Sequence, residues 1–208
     1  GVSIMRYSQN DEERWIASYF GDHVGTVLDA GANDGQTFSN SRALALKGWS
    51  GVLVEPSPTC FARLRELYAD NKLIELHNVG MCEGNGPAIL HESGAHVGNG
   101  DHGLLSTVKP SEMKRWQGTG TTFQPTSMEC VTFIELLRRS EFAHFDFITI
   151  DVEGLDYEVL SQIDLLHTGC RMVIVENNGK DEHRFVQYCR EYGMRLWKKN
   201  AENLVFIR

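Results

Sequence analysis

No stretch of this 208-residue sequence approaches the roughly 18 consecutive apolar residues of a membrane-spanning helix. No basic-then-apolar leader opens it either, so neither membrane insertion nor secretion is expected. Basic residues are short: 20 Lys and Arg face 28 Asp and Glu, for a net charge of −8. That balance excludes the broad cationic face on which nucleic acids are held, and RNA or DNA is not an expected partner. Cysteine is sparse and scattered. Cys60, Cys82, Cys130, Cys170 and Cys189 include no C-x-x-C pair, so neither a disulfide framework nor a zinc site is expected. Such usage fits a reducing, cytoplasmic setting. Repeats and linker-like runs are also missing, which leaves a single domain over 1–208.

What is present is an alternation of short apolar runs with helical patterns. Ser8 to Glu13 should start a helix, with Asn10 as cap and Glu13 in the capping-box position. Trp15, Ile16, Tyr19 and Phe20 form its apolar stripe and Gly21 ends it, making 1–22 an N-terminal helical extension. Strands are expected at Thr26–Asp29, Gly51–Glu55, Leu73–Val79, Phe145–Asp151 and Arg171–Glu176. Helices are expected near 36–47, after Pro56-Ser57-Pro58, over 154–165 and over 181–192. Met194–Trp197 and Leu204–Ile207 read as a closing antiparallel hairpin. The rhythm lapses over 94–126, a long loop of the kind that serves as a lid, before a short strand at Met128–Val131. Strands alternating with helices imply an α/β three-layer sandwich on a mostly parallel sheet with right-handed crossovers.

Asp29, Glu55, Asp151 and Glu176 each end a predicted strand. Parallel strands bring their carboxyl ends to one edge, where open α/β sheets bind ligands. Four acids there are costly unless something pairs with them. The first stands before the loop Asp29-Ala30-Gly31-Ala32-Asn33-Asp34-Gly35, whose glycines permit positive φ and close approach to a ligand. A dinucleotide would bring an anionic pyrophosphate to this turn, against Asp29 and Asp34. S-adenosylmethionine carries no phosphate; its sulfonium and ammonium are cations that acids favour. Glu55, twenty residues beyond Gly35, can accept both ribose hydroxyls. An NAD-dependent oxidoreductase shares that last feature and is the alternative reading, with a non-catalytic module of the same fold as a third.

Val27-Leu28-Asp29-Ala30-Gly31-Ala32-Asn33-Asp34-Gly35, Leu53-Val54-Glu55-Pro56-Ser57-Pro58, Asn78-Val79-Gly80 and Phe145–Gly154 together resemble the FkbM-family methyltransferases. The resemblance runs from about residue 24 to 177 and implies a class I methyltransferase fold: a seven-stranded, Rossmann-like sheet with an antiparallel last strand. It implies S-adenosylmethionine as donor and a hydroxyl, on a small molecule or glycan, as acceptor. Asp29, Gly31, Ala32, Asn33 and Gly35 then form the cofactor loop. Glu55, followed by Pro56 and Ser57, takes the ribose, and Gly80-Met81 lies beside adenine, with Gly80 where the family usually has alanine. Asp151 also reaches the cofactor edge.

An alcohol acceptor must lose its proton to a base or to a metal that lowers its pKa. Asp151 and Glu153, in the turn after the fourth strand, are the first candidates for the base. His102 in the long loop is another, as is His96. Lys109, Lys114, Arg115 and Trp116 make that loop locally basic and aromatic. A Mg²⁺ site built from Asp151, Glu176 and Asn177 is the competing, less favoured reading.

Overall fold

The computed structural model describes residues 6–92 and 124–208. In chain order its elements begin α1 (Glu12–Phe20), β1 (Thr26–Ala30), α2 (Arg42–Leu46), β2 (Ser50–Val54), α3 (Pro58–Leu67), β3 (Ile74–His77), β4 (Gly80–Met81) and β5 (Gly86–Glu92). There follow β6 (Gln124–Val131), α4 (Phe133–Arg139), β7 (Phe147–Ile150), α5 (Asp156–Leu160), β8 (Met172–Glu176), α6 (Glu182–Glu191), β9 (Arg195–Lys199) and β10 (Asn203–Ile207). The main sheet has seven strands in the order β3-β2-β1-β7-β8-β10-β9, and β10, last in the chain, runs antiparallel to both of its neighbours. This is the expected α/β sheet, closing hairpin included.

The central strands are buried on both faces, which is why they read as unbroken apolar runs. Their side chains alternate between two cores. Val27, Phe147, Met172 and Ile174 meet Ile16 and Phe20 of α1 and the fully buried Trp49. Leu28, Val52, Ile148 and Val173 face the other way, onto Leu136, Val159 and Phe185. The stripe predicted for α1 therefore packs as expected. Its cap does not. Asp11 is the N-cap without a side-chain bond, and Glu12, fully buried, accepts from Asn200 and Asn203 Nδ2 at 2.8 and 2.7 Å and from the Asn10 N–H at 2.8 Å. A buried carboxylate persists because donors surround it, and these donors lock α1 to the β9–β10 turn.

Three predicted elements are shorter than expected, two of them for a polar reason. The helix expected over 36–47 starts only at Arg42, because Asp34 accepts from the Gln36 and Thr37 N–H groups and Ser39 Oγ from those of Ser41 and Arg42. Such local side-chain bonds compete with the helix ladder. The helix expected over 154–165 is confined to Asp156–Leu160. The third strand stops at His77, where Asn78 Nδ2 donates to the Glu55 and Pro56 carbonyls and turns the chain away.

Beyond that turn lies a second sheet that the sequence did not announce. It is three-stranded, in the order β4-β6-β5, with β4 parallel and β5 antiparallel to β6. A disulfide joins Cys82 to Cys130 across it, while Cys60, Cys170 and Cys189 are buried free thiols. This corrects the expectation of no disulfide and removes the ground for the cytoplasmic expectation. Cysteines 48 positions apart in sequence are adjacent only because β4 and β6 pair. Among the described residues, no helix is long and apolar enough to cross a membrane.

Candidate active site

The glycine loop wraps the end of β2. Gly31 and Ala32 both donate their N–H groups to the Val54 carbonyl at 2.9 Å, and Gly35 closes the turn onto Ala32 O at 3.0 Å. Gly31 sits at φ +96, and a Cβ there would overlap the Asp151 carbonyl oxygen, so the loop and the end of β7 approach as closely as backbone can. Asn33 follows at φ 55, a left-handed position that asparagine tolerates better than most residues. Its N–H donates to Glu55 Oε1 at 2.8 Å, and the Ser57 N–H donates to Oε2 at 2.7 Å. Glu55 thus holds the loop in shape before any ligand arrives.

Asp29 and Glu55 are both buried. Burial pushes Asp29 up to about 7; a 2.6 Å bond from Ser41 Oγ pulls it down and the charge of Asp151 raises it again. Burial likewise pushes Glu55 up to about 8, against the two backbone bonds that lower it. Two carboxyls poised near neutrality on one edge will ionise readily when a cation or hydroxyl donors arrive.

The next turn adds more acid. Asp151 donates its N–H to Ala30 O at 2.9 Å, fixing the turn to β1. Asp156, buried, accepts from the Val152 and Gly154 N–H groups at 3.1 and 3.4 Å, and burial, then the charge of Asp151, raise its pKa. Glu153 between them adopts φ 47. Asp151, Glu153 and Glu176 bring one carboxylate oxygen each within 4.8 Å of one another, a donor set that suits a hard divalent cation. Glu153 is the third member of that group; the Asn177 side-chain oxygen is engaged by the Gly179 N–H at 2.9 Å.

Of the remaining expected cofactor residues, Ser57 is buried and committed locally: its Oγ caps α3 at Cys60 N–H and donates to Glu92 Oε2 at 2.6 Å. Pro56 and Asn78 line a cleft of about 430 Å³ together with Gly86 and Pro87 of β5 and Ser127, Met128 and Glu129 of β6. Gly80 lies beneath Met128: a Cβ at position 80 would overlap Met128 Cε. Glycine at position 80 is therefore what admits this methionine. His102 and His96, with Lys109, Lys114, Arg115, Trp116 and most of the 94–126 loop, lie outside the described residues. Reading the sequence missed Ser41, Asp156 and Met128. Asp156, two places after Gly154 at a helix start, left a legible trace; Ser41 and Met128 reach the site only through tertiary packing.

A sequence model of the "Methyltransferase FkbM domain" matches residues 29–196. Among solved structures, methyltransferase FkbM from Methylobacillus flagellatus KT is similar at a TM-score of 0.56 and 11% identity, over 100% of this chain and 46% of that one. A ribosomal protein L11 methylase from Lactobacillus delbrueckii subsp. bulgaricus is similar at 0.52 and 13%, over 95% and 77%. The METTL16 methyltransferase domain is similar at 0.50 and 14%, over 93% of this chain and 64% of its own length. The chain thus spans less than two thirds of two of these structures. At such identities the likeness concerns the fold. No curated protein matches the sequence.

Proposed function

The chain belongs to the FkbM methyltransferase family, whose members depend on S-adenosylmethionine, and on that premise we propose that it methylates a hydroxyl oxygen of a small molecule or glycan. The observation that carries the reading is the gathering of Asp29, Glu55, Asp151, Glu153 and Glu176 about one glycine loop. A cationic cofactor is favoured where a dinucleotide's phosphates would be repelled. In this reading Asp29 and the Gly31–Gly35 loop face the ammonium and sulfonium end, Glu55 accepts the ribose hydroxyls, and Pro56, Gly80 and Met81 border the base.

Bound there, S-adenosylmethionine would supply its methyl group by in-line displacement, leaving as S-adenosylhomocysteine, and the acceptor's hydroxyl proton would pass to a carboxylate. Asp151 and Glu153 are assigned that proton, and holding the reactants in line supplies much of the rate. A second reading of the activation step rests on the convergence of Asp151, Glu153 and Glu176. A divalent cation held there would lower the pKa of the acceptor hydroxyl.

Thermal stabilisation by S-adenosylhomocysteine, with none by NAD, is the expected result; stabilisation by NAD alone would establish the oxidoreductase reading instead. Transfer of labelled methyl should then be screened over sugars, polyketides and phenols with and without chelator. Asp151→Asn is expected to keep cofactor binding and lose at least about a hundredfold in turnover. Full turnover in that variant would take Asp151 out of the chemistry.

A further inference from the structure

The second sheet meets the cofactor edge at Gly80, beside the disulfide, and again where Ser57 Oγ donates to Glu92 Oε2. Met128 and Cys130 lie two residues apart on β6 and therefore share one of its faces. Cys130 is paired in register with Gly80, and Cys82, its disulfide partner, follows β4 directly. On that shared face Met128 Cε occupies the space a side chain at Gly80 would fill, and Pro56 Cβ would lie 3.4 Å from the same point. Pro56 and Met128, which both line the cleft of about 430 Å³ beginning one residue beyond Glu55, thus meet at Gly80.

Strand β6 is held to β5 along its length, from Gly86–Cys130 to Glu92–Gln124, but its hold on β4 is short. Strand β4 has two residues, and its register with β6 extends only to Gly80–Cys130 and Met81–Val131. The Cys82 N–H donates to Val131 O at 2.9 Å and Gln162 Nε2 donates to Cys82 O at 2.8 Å. The disulfide closes the whole 48-position excursion of the chain between its two cysteines. A cross-link that closes a long loop removes much of the freedom its ends would otherwise have.

We propose that Cys82–Cys130 is a redox clasp on the cofactor pocket: oxidised, it holds Met128 over Gly80 as one wall of the cleft for the cofactor's base; reduced, it loosens β6 from β4 and weakens cofactor binding. The proposal rests on the S-adenosylmethionine reading above. The reductant is a dithiol, which gives two electrons and two protons to the bridge, leaving two cysteine thiols and its own disulfide. Cofactor affinity would then report the thiol–disulfide balance around the protein, since a wall that must be re-ordered on binding lowers apparent affinity.

The test measures S-adenosylhomocysteine binding by calorimetry in the oxidised protein, in the same protein reduced by dithiothreitol, and in Cys82→Ser/Cys130→Ser. Thiols are counted after denaturation, and circular dichroism checks the fold. Oxidised protein should show three thiols, the number of free cysteines, and reduced protein five. Affinity should fall about tenfold on reduction and in the double variant, and return on reoxidation. Met128→Ala, which leaves the bridge intact, should weaken binding by a similar factor and lose most of the response to reductant. Equal affinity in oxidised and reduced protein overturns the clasp alone, as does a count of five thiols in protein prepared without reductant. No binding by oxidised protein overturns the cofactor reading, and the clasp with it.

Discussion

One hydroxyl keeps Asp29 ionisable. Ser41 Oγ, at 2.6 Å, is the side-chain donor that offsets the burial of this carboxyl and keeps it at about 7. Ser41→Ala removes that bond inside the fold, at a cost of about 1–2 kcal/mol in stability. The sign of the pKa change follows: without the donor the anion is less stable, so the carboxyl stays protonated to higher pH. Cofactor affinity measured from pH 6 to 9 should therefore rise with pH in both proteins, with its midpoint displaced upward in the variant. An unshifted midpoint would take Asp29 out of the cofactor site. At this scale the sequence was partly legible. Asp29 and Glu55 stood out because each ends an apolar run, whereas Ser41 carries no mark of its role. Its partner is twelve positions away and is brought near by a loop whose path Asp34 and Ser39 decide.

Elements are held as much by buried polar groups as by apolar stripes. Helix α1 packs Ile16 and Phe20 on the sheet, yet its start is fixed by Glu12, which gathers the amides of Asn200 and Asn203. Glu12→Ala would leave these amides without their acceptor and cost about 3 kcal/mol, read as a lower urea midpoint at unchanged slope. Wild-type stability in that variant would show that water replaces the carboxylate. The same lesson explains the missed second sheet. Over β5 only Leu90 is buried, and its apolar stretch, Ala88-Ile89-Leu90 after a proline, is too short to mark a strand. Its pairing with β6 depends on a partner more than thirty residues away, which local periodicity cannot supply.

For the whole molecule, the acids on the sheet edge set a pH dependence. Asp29 and Glu55 rise from about 3.8 and 4.5 to about 7 and 8 on folding, so the folded protein binds more protons than the unfolded chain between those limits. Their contribution to stability is fully present below about pH 4 and is lost as pH climbs through 7 and 8. The ligand-free melting temperature should decline over that window less steeply in Asp29→Asn than in the wild type. Stabilisation by S-adenosylhomocysteine should grow across the same window, because the ligand pairs with the ionised forms. A melting temperature that climbs equally in both proteins from pH 5 to 8 would mean these carboxyls are solvated. The family resemblance implied the seven-strand sheet with its antiparallel last strand; the sequence's own pattern determined the α/β class, the closing hairpin and the acid-lined glycine loop. These last three follow from apolar periodicity and from where a chain can turn, and both are local properties. Only the tertiary structure decided which side chains support that loop, that Asp151, Glu153 and Glu176 converge, and that Cys82 and Cys130 join beneath Met128. Each of these is a meeting of residues far apart in sequence, set by strand register and packing, and the glycine loop acquires its far wall only there.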